Sequence, residues 1–199
     1  MRSTAVILLN LCLLAGCAAP SVSSSTESEI AASVNKDNQI KADMRAYRWL
    51  DDDDPAFLYM TMARSNRFYD EGGTGILYYG YAGCEYCERA VPVLNAAAKD
   101  VGIEVFYVNV YEDIRTDEDV SAMLKNLEPA MKREVNPETG EEEPVMYTPE
   151  VVALKDGVIV GHHTALVDEY IITDEESQMN DAEKEHLTQI YKNLFSLIR

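Results

Sequence analysis

Basic residues are scarce in this chain of 199 residues. Lysine and arginine together number 17, against 35 aspartates and glutamates, so the formal net charge is −18 at pH 7. Proteins bind DNA and RNA largely through Lys and Arg contacts to phosphates, so the composition argues against a nucleic-acid partner. The same charge repels anionic lipid surfaces, so any attachment to a membrane must come from something other than basic side chains.

Cysteine and histidine are also few, with four and three residues respectively. One Cys-x-x-Cys pair occurs, Cys84 with Cys87, and no second pair accompanies it. His162, His163 and His186 lie far from this pair in sequence and lack the spacing of zinc ligands. The sequence therefore predicts neither a metal site nor a bound cofactor, although the fold could still bring a histidine near the thiols.

The N-terminal segment has an apolar core, Ala5 to Leu14, that is too short for a permanent membrane helix, and Arg2 precedes it. This pattern predicts an export signal. The segment ends in Leu14-Ala15-Gly16-Cys17, which resembles the lipobox of bacterial lipoproteins. That resemblance implies a signal peptide over residues 1–16 and a lipid on Cys17, and the alternative is an ordinary secretory signal cut near Ala19.

The next stretch is rich in Ser, Ala, Thr, Asn and Glu and has few large apolar residues. It predicts a flexible lipidated tether over residues 17–44, followed by a folded domain over residues 45–199. Acyl chains on Cys17 would anchor the protein to the extracytoplasmic face of a bacterial membrane. Cys12 would leave with the signal peptide, so Cys84 and Cys87 would be the only thiols of the folded domain, in an oxidising environment.

These two cysteines stand where a strand pattern changes to a helix pattern. The apolar run Ile76 to Tyr79 is followed by small residues and then by Cys84-Glu85-Tyr86-Cys87. A sulfur in the first helical turn faces unpaired backbone N–H groups, which favour the thiolate, so Cys84 is the predicted nucleophile. Cys87 follows one turn later and is the predicted resolving thiol. A zinc site and a purely structural disulfide remain as alternatives.

Hydrophobic periodicity predicts alternating strands and helices over the rest of the chain. The predicted strands cover residues 57–60, 76–79, 103–111, 150–155 and 158–162, and the predicted helices cover 61–70, the segment from the cysteines to about 100, 117–131 and 187–198. A helix joins the second and third strands, which makes them parallel, and Asp156-Gly157 joins the last two strands as an antiparallel hairpin. A short helix is expected within residues 40–50, and residues 132–144 are expected to form a solvated loop around a turn.

This order of elements resembles the thioredoxin-like superfamily over Phe57 to Arg199. Cys84 and Cys87 match the redox pair, Pro92 matches the proline inside the following helix, and Pro149 matches the proline before the hairpin. The resemblance implies an α/β fold with a central mixed sheet and helices on both faces. It also implies a cis peptide before Pro149, with Thr148 presenting its backbone to a substrate beside Cys84. Within the superfamily the chain is most similar to small bacterial lipoproteins and bacteriocin-transport-accessory proteins.

The chain departs from the thioredoxin pattern at three positions, the first of which is Gly83, directly before Cys84. Thioredoxin has Trp before its first cysteine, and here Tyr81 or Tyr86 would take the place of that flat aromatic and contact the substrate. Tyr78 stands at the position of the buried acid that helps move the proton of the resolving thiol, and Tyr107 stands at the position of its lysine partner.

With that acid replaced, Glu85, Glu88 or water would have to handle the proton. These two glutamates also disfavour a thiolate nearby. We therefore expect a Cys84 pKa nearer to the roughly 7 of thioredoxin than to the roughly 3.5 of the oxidant DsbA, which favours a reductase.

The leading hypothesis from the sequence is a membrane-tethered, extracytoplasmic thiol-disulfide oxidoreductase, with a reductase favoured. It would act as a monomer on protein or peptide disulfides, without a bound cofactor, and would draw electrons from a membrane donor. The alternative is a non-catalytic binding protein of the same fold for peptide (bacteriocin) export. A third hypothesis is a metal chaperone that combines the two thiols with His162 or His163.

Overall fold

The computed structural model describes residues 40–112 and 114–199. The predicted signal peptide, most of the predicted tether and Cys17 lie outside these residues. The elements are β1 (Phe57–Tyr59), α1 (Met62–Asp70), β2 (Gly75–Gly80), α2 (Glu85–Val101), β3 (Val105–Asn109), α3 (Asp117–Leu127), a short 3-10 helix (Glu128–Ala130), β4 (Lys132–Val135), β5 (Glu142–Val145), β6 (Glu150–Lys155), β7 (Val158–Thr164) and α4 (Asp181–Leu197).

Five of the strands form one mixed sheet in the order β1-β3-β2-β6-β7. Strands β1, β3 and β2 run parallel, whereas β6 is antiparallel to β2 and β7 is antiparallel to β6. The parallel pair β2 and β3 is joined through α2, as the sequence predicts, because a parallel connection needs a crossover. Strand β2 lies at the centre and is buried along its whole length.

Helices cover both faces of this sheet because successive strand residues point to opposite sides. Ile76 and Tyr78 of β2 face the core that contains α2 and α4, and Leu77 and Tyr79 face the core that contains α1 and α3. The predicted fold class, an α/β thioredoxin-like arrangement with a central mixed sheet, is confirmed by this strand order and these connections.

Helix α2 begins at the Cys-x-x-Cys motif. Cys84 is the N-cap residue, and the helix continues through Pro92 to Val101. Gly102 ends it in the left-handed conformation at φ 72°, which glycine adopts without steric cost. The helix start is therefore held at the carboxyl end of β2, where the two cysteines lie.

The predicted helix within residues 40–50 is wrong. Lys41 pairs with Leu58 in an isolated antiparallel bridge, and the Ala42 N–H donates to the Phe57 carbonyl at 3.0 Å. The open edge of β1 thus binds backbone groups that a helix would need for itself. Met44 is 2% exposed. The folded part therefore begins before residue 45, because residues assigned to the tether contribute to the core.

The expectation for residues 132–144 is also corrected. Strands β4 and β5 pair as a separate antiparallel hairpin, with Lys132 opposite Val145 and Val135 opposite Glu142. The turn between them was expected, and Gly140 adopts φ 74° in it. Every residue of β4 is exposed, so the hairpin lacks the apolar alternation from which a strand is predicted. Helix α3 also ends earlier than predicted, at Leu127, where the 3-10 helix takes over.

Candidate functional site: a thiol pair beside a cis-proline

The Cys84 sulfur lies at the mouth of α2. Its Sγ accepts a hydrogen bond from the Cys87 backbone N–H at 3.2 Å, so the sulfur itself caps the helix. This bond satisfies one of the backbone donors that every helix start leaves free. The Cys84 residue is 7% exposed and Cys87 is fully buried, so Cys84 is the more accessible of the two sulfurs.

A distant segment closes over the same sulfur. The Thr148–Pro149 peptide is cis. Thr148 Oγ1 lies 3.5 Å from Cys84 Sγ, and the Thr148 carbonyl oxygen lies 3.8 Å from it. The fold thus brings together the two parts of the site that the sequence predicts, although they are 64 residues apart.

These contacts lower the pKa of Cys84 from 9.0 to about 6. The main cause is a hydrogen bond from the Cys87 thiol, and the Thr148 hydroxyl and the backbone N–H groups of Cys87 and Tyr86 add to it. Partial burial opposes the shift, because it disfavours a charged sulfur. The hydrogen bonds prevail, so Cys84 is a thiolate at neutral pH.

The pKa of Cys87 moves in the opposite direction. Burial raises it far above 9.0, and the neighbouring Cys84 sulfur raises it further. A protonated Cys87 is a poor nucleophile but can donate a hydrogen bond to the Cys84 thiolate. The two environments therefore divide the roles, with Cys84 as the attacking sulfur and Cys87 as the sulfur that reacts second.

Glu88 does not lie where it could serve the role in proton transfer that the sequence predicts. It is 7% exposed, and its carboxylate accepts from the backbone N–H of Gly83 at 2.7 Å and from that of Arg48 at 2.6 Å. The side chain clamps the loop before Cys84 to the N-terminal segment. Neither Glu88 nor the exposed Glu85 is among the principal causes of the Cys84 pKa shift, since hydrogen bonds at the sulfur dominate it.

Of the two tyrosines predicted to contact substrate, Tyr81 lies in the loop before Cys84 and Tyr86 lies in α2. Tyr81 is half-buried and packs edge-to-face against Tyr111, with ring centroids 4.6 Å apart. Tyr86 is 45% exposed on the first turn of α2. Both side chains are therefore available at the surface around Cys84.

A groove of about 510 Å³ opens beside the motif, and the sequence did not point to it. Its lining includes Gly83 and Glu85 from the motif loop and Trp49 from the N-terminal segment. Two guanidinium groups lie over the Trp49 ring, that of Arg89 at 4.7 Å and that of Arg48 at 5.2 Å from the ring centroid. The only tryptophan of the chain thus stands near the cysteines. The only signal in the sequence was that tryptophan occurs once, because the position of Trp49 near the cysteines depends on tertiary contacts.

Arg89 is a second residue that sequence reasoning missed. It is 2% exposed, and its guanidinium donates to the carbonyl oxygens of Glu85, Asp174 and Ser177 at 2.7 to 3.0 Å. It therefore ties the segment before α4 to the start of α2. The only signal in the sequence was the place of Arg89 directly before the apolar run Ala90 to Leu94.

The histidines considered for metal binding lie on β7. His162 Nδ1 lies 3.0 Å from the Glu150 carboxylate, and burial lowers the pKa of His163. Over residues 40–112 and 114–199, no group of three or more His, Cys, Asp or Glu side chains has the arrangement of a metal site. In the same ranges, no helix is both long and apolar enough to span a bilayer.

Comparisons with known proteins give fold-level likeness only. No family model matches the chain, and no curated protein matches it. Among solved structures, thioredoxin from Aeropyrum pernix is similar at 23% identity and a TM-score of 0.37, over 54% of this chain and 74% of that one. Oxidised thioredoxin O2 from Arabidopsis thaliana is similar at 15% identity and a TM-score of 0.42, over 79% of this chain and all of that one. The assignment of the fold rests on the strand order and connections described above.

Proposed function

We propose that this protein is a thiol-disulfide oxidoreductase that acts on protein or peptide disulfides. The observation that carries the proposal is the environment of Cys84 Sγ. This sulfur is capped by the Cys87 N–H at 3.2 Å, faces Thr148 beside a cis-proline, and has its pKa lowered to about 6. A stabilised thiolate next to a second, protonated thiol is the arrangement that disulfide exchange requires.

The exchange proceeds in two steps. The Cys84 thiolate attacks one sulfur of the substrate disulfide, which forms a mixed disulfide and releases the other substrate sulfur as a thiolate. Cys87 then attacks Cys84, the bond between Cys84 and the substrate breaks, and the second substrate sulfur leaves with a proton. The dithiol is oxidised by two electrons and the substrate disulfide is reduced by the same two.

The pKa of Cys84 supports the reducing direction. A value of about 6 lies nearer to the roughly 7 of thioredoxin than to the roughly 3.5 of DsbA. A less stabilised thiolate corresponds to a more stable disulfide and a more reducing couple. As part of the proposal, Cys17 carries a lipid that holds the domain at the extracytoplasmic face of a membrane, and a membrane donor returns the electrons.

The exposed groups around the site support a polypeptide substrate. Tyr86 and the groove lined by Trp49 offer aromatic surface beside Cys84. Aromatic side chains supply much of the binding energy at protein contacts.

The test uses the full chain with Cys12→Ser and Cys17→Ser, here called the two-thiol chain because only Cys84 and Cys87 remain. Insulin serves as the disulfide substrate and dithiothreitol as the electron source. The two-thiol chain should accelerate insulin reduction, and Cys84→Ser should abolish this acceleration. After reduction and removal of dithiothreitol, Cys87→Ser should instead accumulate a covalent complex with insulin, and added dithiothreitol should release it. A two-thiol chain no faster than dithiothreitol alone would refute the proposal.

A second candidate function, peptide binding without catalysis, is favoured by the β4–β5 hairpin. This hairpin lies immediately before Thr148 in the chain and is exposed, with Glu134 opposite Glu143. Its acidic surface could hold a basic peptide near the site. Replacing both Cys84 and Cys87 by Ser separates the two functions, because a binding protein would keep full function in the double variant.

A further inference from the structure

The groove beside the motif is lined by three segments of the chain: the N-terminal segment, the motif loop with the first turns of α2, and the segment before α4. Its volume of about 510 Å³ falls within the roughly 300 to 1,000 Å³ of ligand pockets. Gly83 and Glu85 in its lining are the chain neighbours of Cys84, so the groove borders the residue that reacts. A side chain close in sequence to a substrate cysteine can therefore enter the groove while that cysteine bonds to Cys84.

The two guanidinium groups in the lining are engaged within the protein. Arg89 is 2% exposed and donates to carbonyl oxygens of α2 and of the segment before α4, including those of Glu85 and Ser177. Arg48 forms an ion pair with Glu176. The positive charge of both groups is thus offset by other groups of the protein, and neither is left to attract an anion into the groove.

Two carboxylates in the lining are in the opposite situation. Glu85 and Glu175 are exposed, and the Arg89 side chain binds both of them through their backbone carbonyl oxygens. Within residues 40–112 and 114–199, neither of their carboxylates takes part in a hydrogen bond or an ion pair. The third carboxylate of the lining, that of Glu88, is buried and accepts from two backbone N–H groups. The groove therefore has an excess of negative charge, and two of its carboxylates are accessible.

We propose that this groove binds the side chain of a lysine or arginine that lies close to the reacting cysteine of the substrate polypeptide. Glu85 and Glu175 attract its positive head group, and the half-buried Trp49 supplies apolar surface for its methylene stem. The same carboxylates repel an acidic side chain. The net charge of −18 also attracts basic polypeptides from a distance. This inference rests on the proposed function and adds a substrate preference to it.

The test uses short peptides with blocked ends, each with one cysteine joined by a disulfide to thionitrobenzoate. The residue beside the cysteine is Arg, Gln or Glu, and it precedes the cysteine in one set and follows it in another. Cys84 attacks the peptide sulfur, the bond between that sulfur and thionitrobenzoate breaks, and thionitrobenzoate leaves as a coloured thiolate. Each rate is divided by the rate of the same peptide with 2-mercaptoethanol, which corrects for the reactivity of the disulfide itself.

The two-thiol chain should react about 3- to 10-fold faster with the arginine peptide than with the glutamine peptide at low ionic strength, and slowest with the glutamate peptide. Salt at about 0.5 M should reduce this preference, because it screens exposed charges. Glu85→Gln combined with Glu175→Gln should bring the arginine and glutamine rates within about twofold of each other. Both residues are exposed, so this groove variant should keep the stability of the two-thiol chain.

The matched control combines Glu118→Gln with Glu138→Gln. These two glutamates are also exposed, but they lie on the first turn of α3 and in the turn between β4 and β5 rather than in the groove. The control has the same net charge as the groove variant and should keep the preference for the arginine peptide. As a second test of the groove, Glu85→Lys combined with Glu175→Lys should reverse the order of the arginine and glutamate peptides.

The outcomes separate this inference from the function on which it rests. Equal corrected rates for the three peptides, or an arginine preference that persists in the groove variant, would overturn the role of the groove and leave the oxidoreductase proposal intact. An equal loss of preference in the control would assign the preference to overall charge and overturn the groove in the same way. Release no faster than with 2-mercaptoethanol at equal thiol concentration, for every peptide, would instead overturn the oxidoreductase proposal, and the inference with it.

Discussion

The rate of Cys84 alkylation should rise with pH around a midpoint of about 6, because the thiolate is the reacting form and its pKa is lowered to that value. The reduced two-thiol chain would be treated with a small excess of iodoacetamide at a series of pH values, and the modified cysteine identified by mass spectrometry. Cys87 should remain unmodified below about pH 9, because it is buried and its pKa is raised.

The size of the effect depends strongly on the pH at which it is measured. At pH 7 about 90% of Cys84 is thiolate, against about 1% for a thiol at the ordinary value of 9.0. Nucleophilicity falls by about 15- to 30-fold over three pKa units, which leaves a net gain of only about 3- to 6-fold. At pH 6 the thiolate fractions are about 50% and about 0.1%, so the net gain is roughly 15- to 30-fold. The midpoint is therefore a better test than the rate at neutral pH.

Three variants identify the hydrogen bonds that set the midpoint. Cys87→Ala removes the thiol that contributes most to the shift, whereas Cys87→Ser keeps a hydroxyl donor, so the midpoint should rise more in Cys87→Ala. Thr148→Val removes the hydroxyl 3.5 Å from the sulfur and should raise the midpoint by a smaller amount. A midpoint near 9 in the two-thiol chain would refute the argument from hydrogen bonding, and one below about 5 would favour an oxidant over a reductase.

Three further predictions concern the supports of the site. Glu88→Gln should lower the free energy of unfolding by about 2 to 4 kcal/mol in urea titrations, because an amide cannot accept from both backbone N–H groups, including that of Gly83; a loss under about 0.5 kcal/mol would contradict the clamp. Gly80→Ala should lower the free energy of unfolding by about 1 to 3 kcal/mol in the same assay, since a Cβ at this position would lie 2.2 Å from the Tyr78 hydroxyl oxygen; an unchanged midpoint of unfolding would show that the fold does not need a residue without a side chain here. Arg89→Lys should speed limited proteolysis of residues 170–177, because lysine keeps the charge but not the forked set of donors; an unchanged cleavage rate would argue against that anchor.

Much of the fold could be predicted from local patterns. The apolar run Ile76–Tyr79 indicates a buried strand because all four residues are apolar, and Asp156-Gly157 indicates a hairpin because glycine tolerates the turn conformation. The segment 40–50 could not be predicted in the same way. Its apolar residues have helical spacing, but its backbone forms hydrogen bonds with the open edge of β1 instead of within a helix. The β4–β5 hairpin could not be predicted either, because a fully exposed strand carries no apolar alternation.

The sequence by itself determined which atoms could react. Two cysteines spaced by one helical turn after a buried strand define a thiol pair, and that spacing depends only on local backbone geometry. Only the tertiary structure determined the pKa of each cysteine. Thr148 reaches Cys84 across 64 residues, and burial of Cys87 in the core raises the pKa of its thiol. Burial and hydrogen bonding at a sulfur depend on which segments of the chain pack together, and local sequence patterns do not reveal contacts between distant segments.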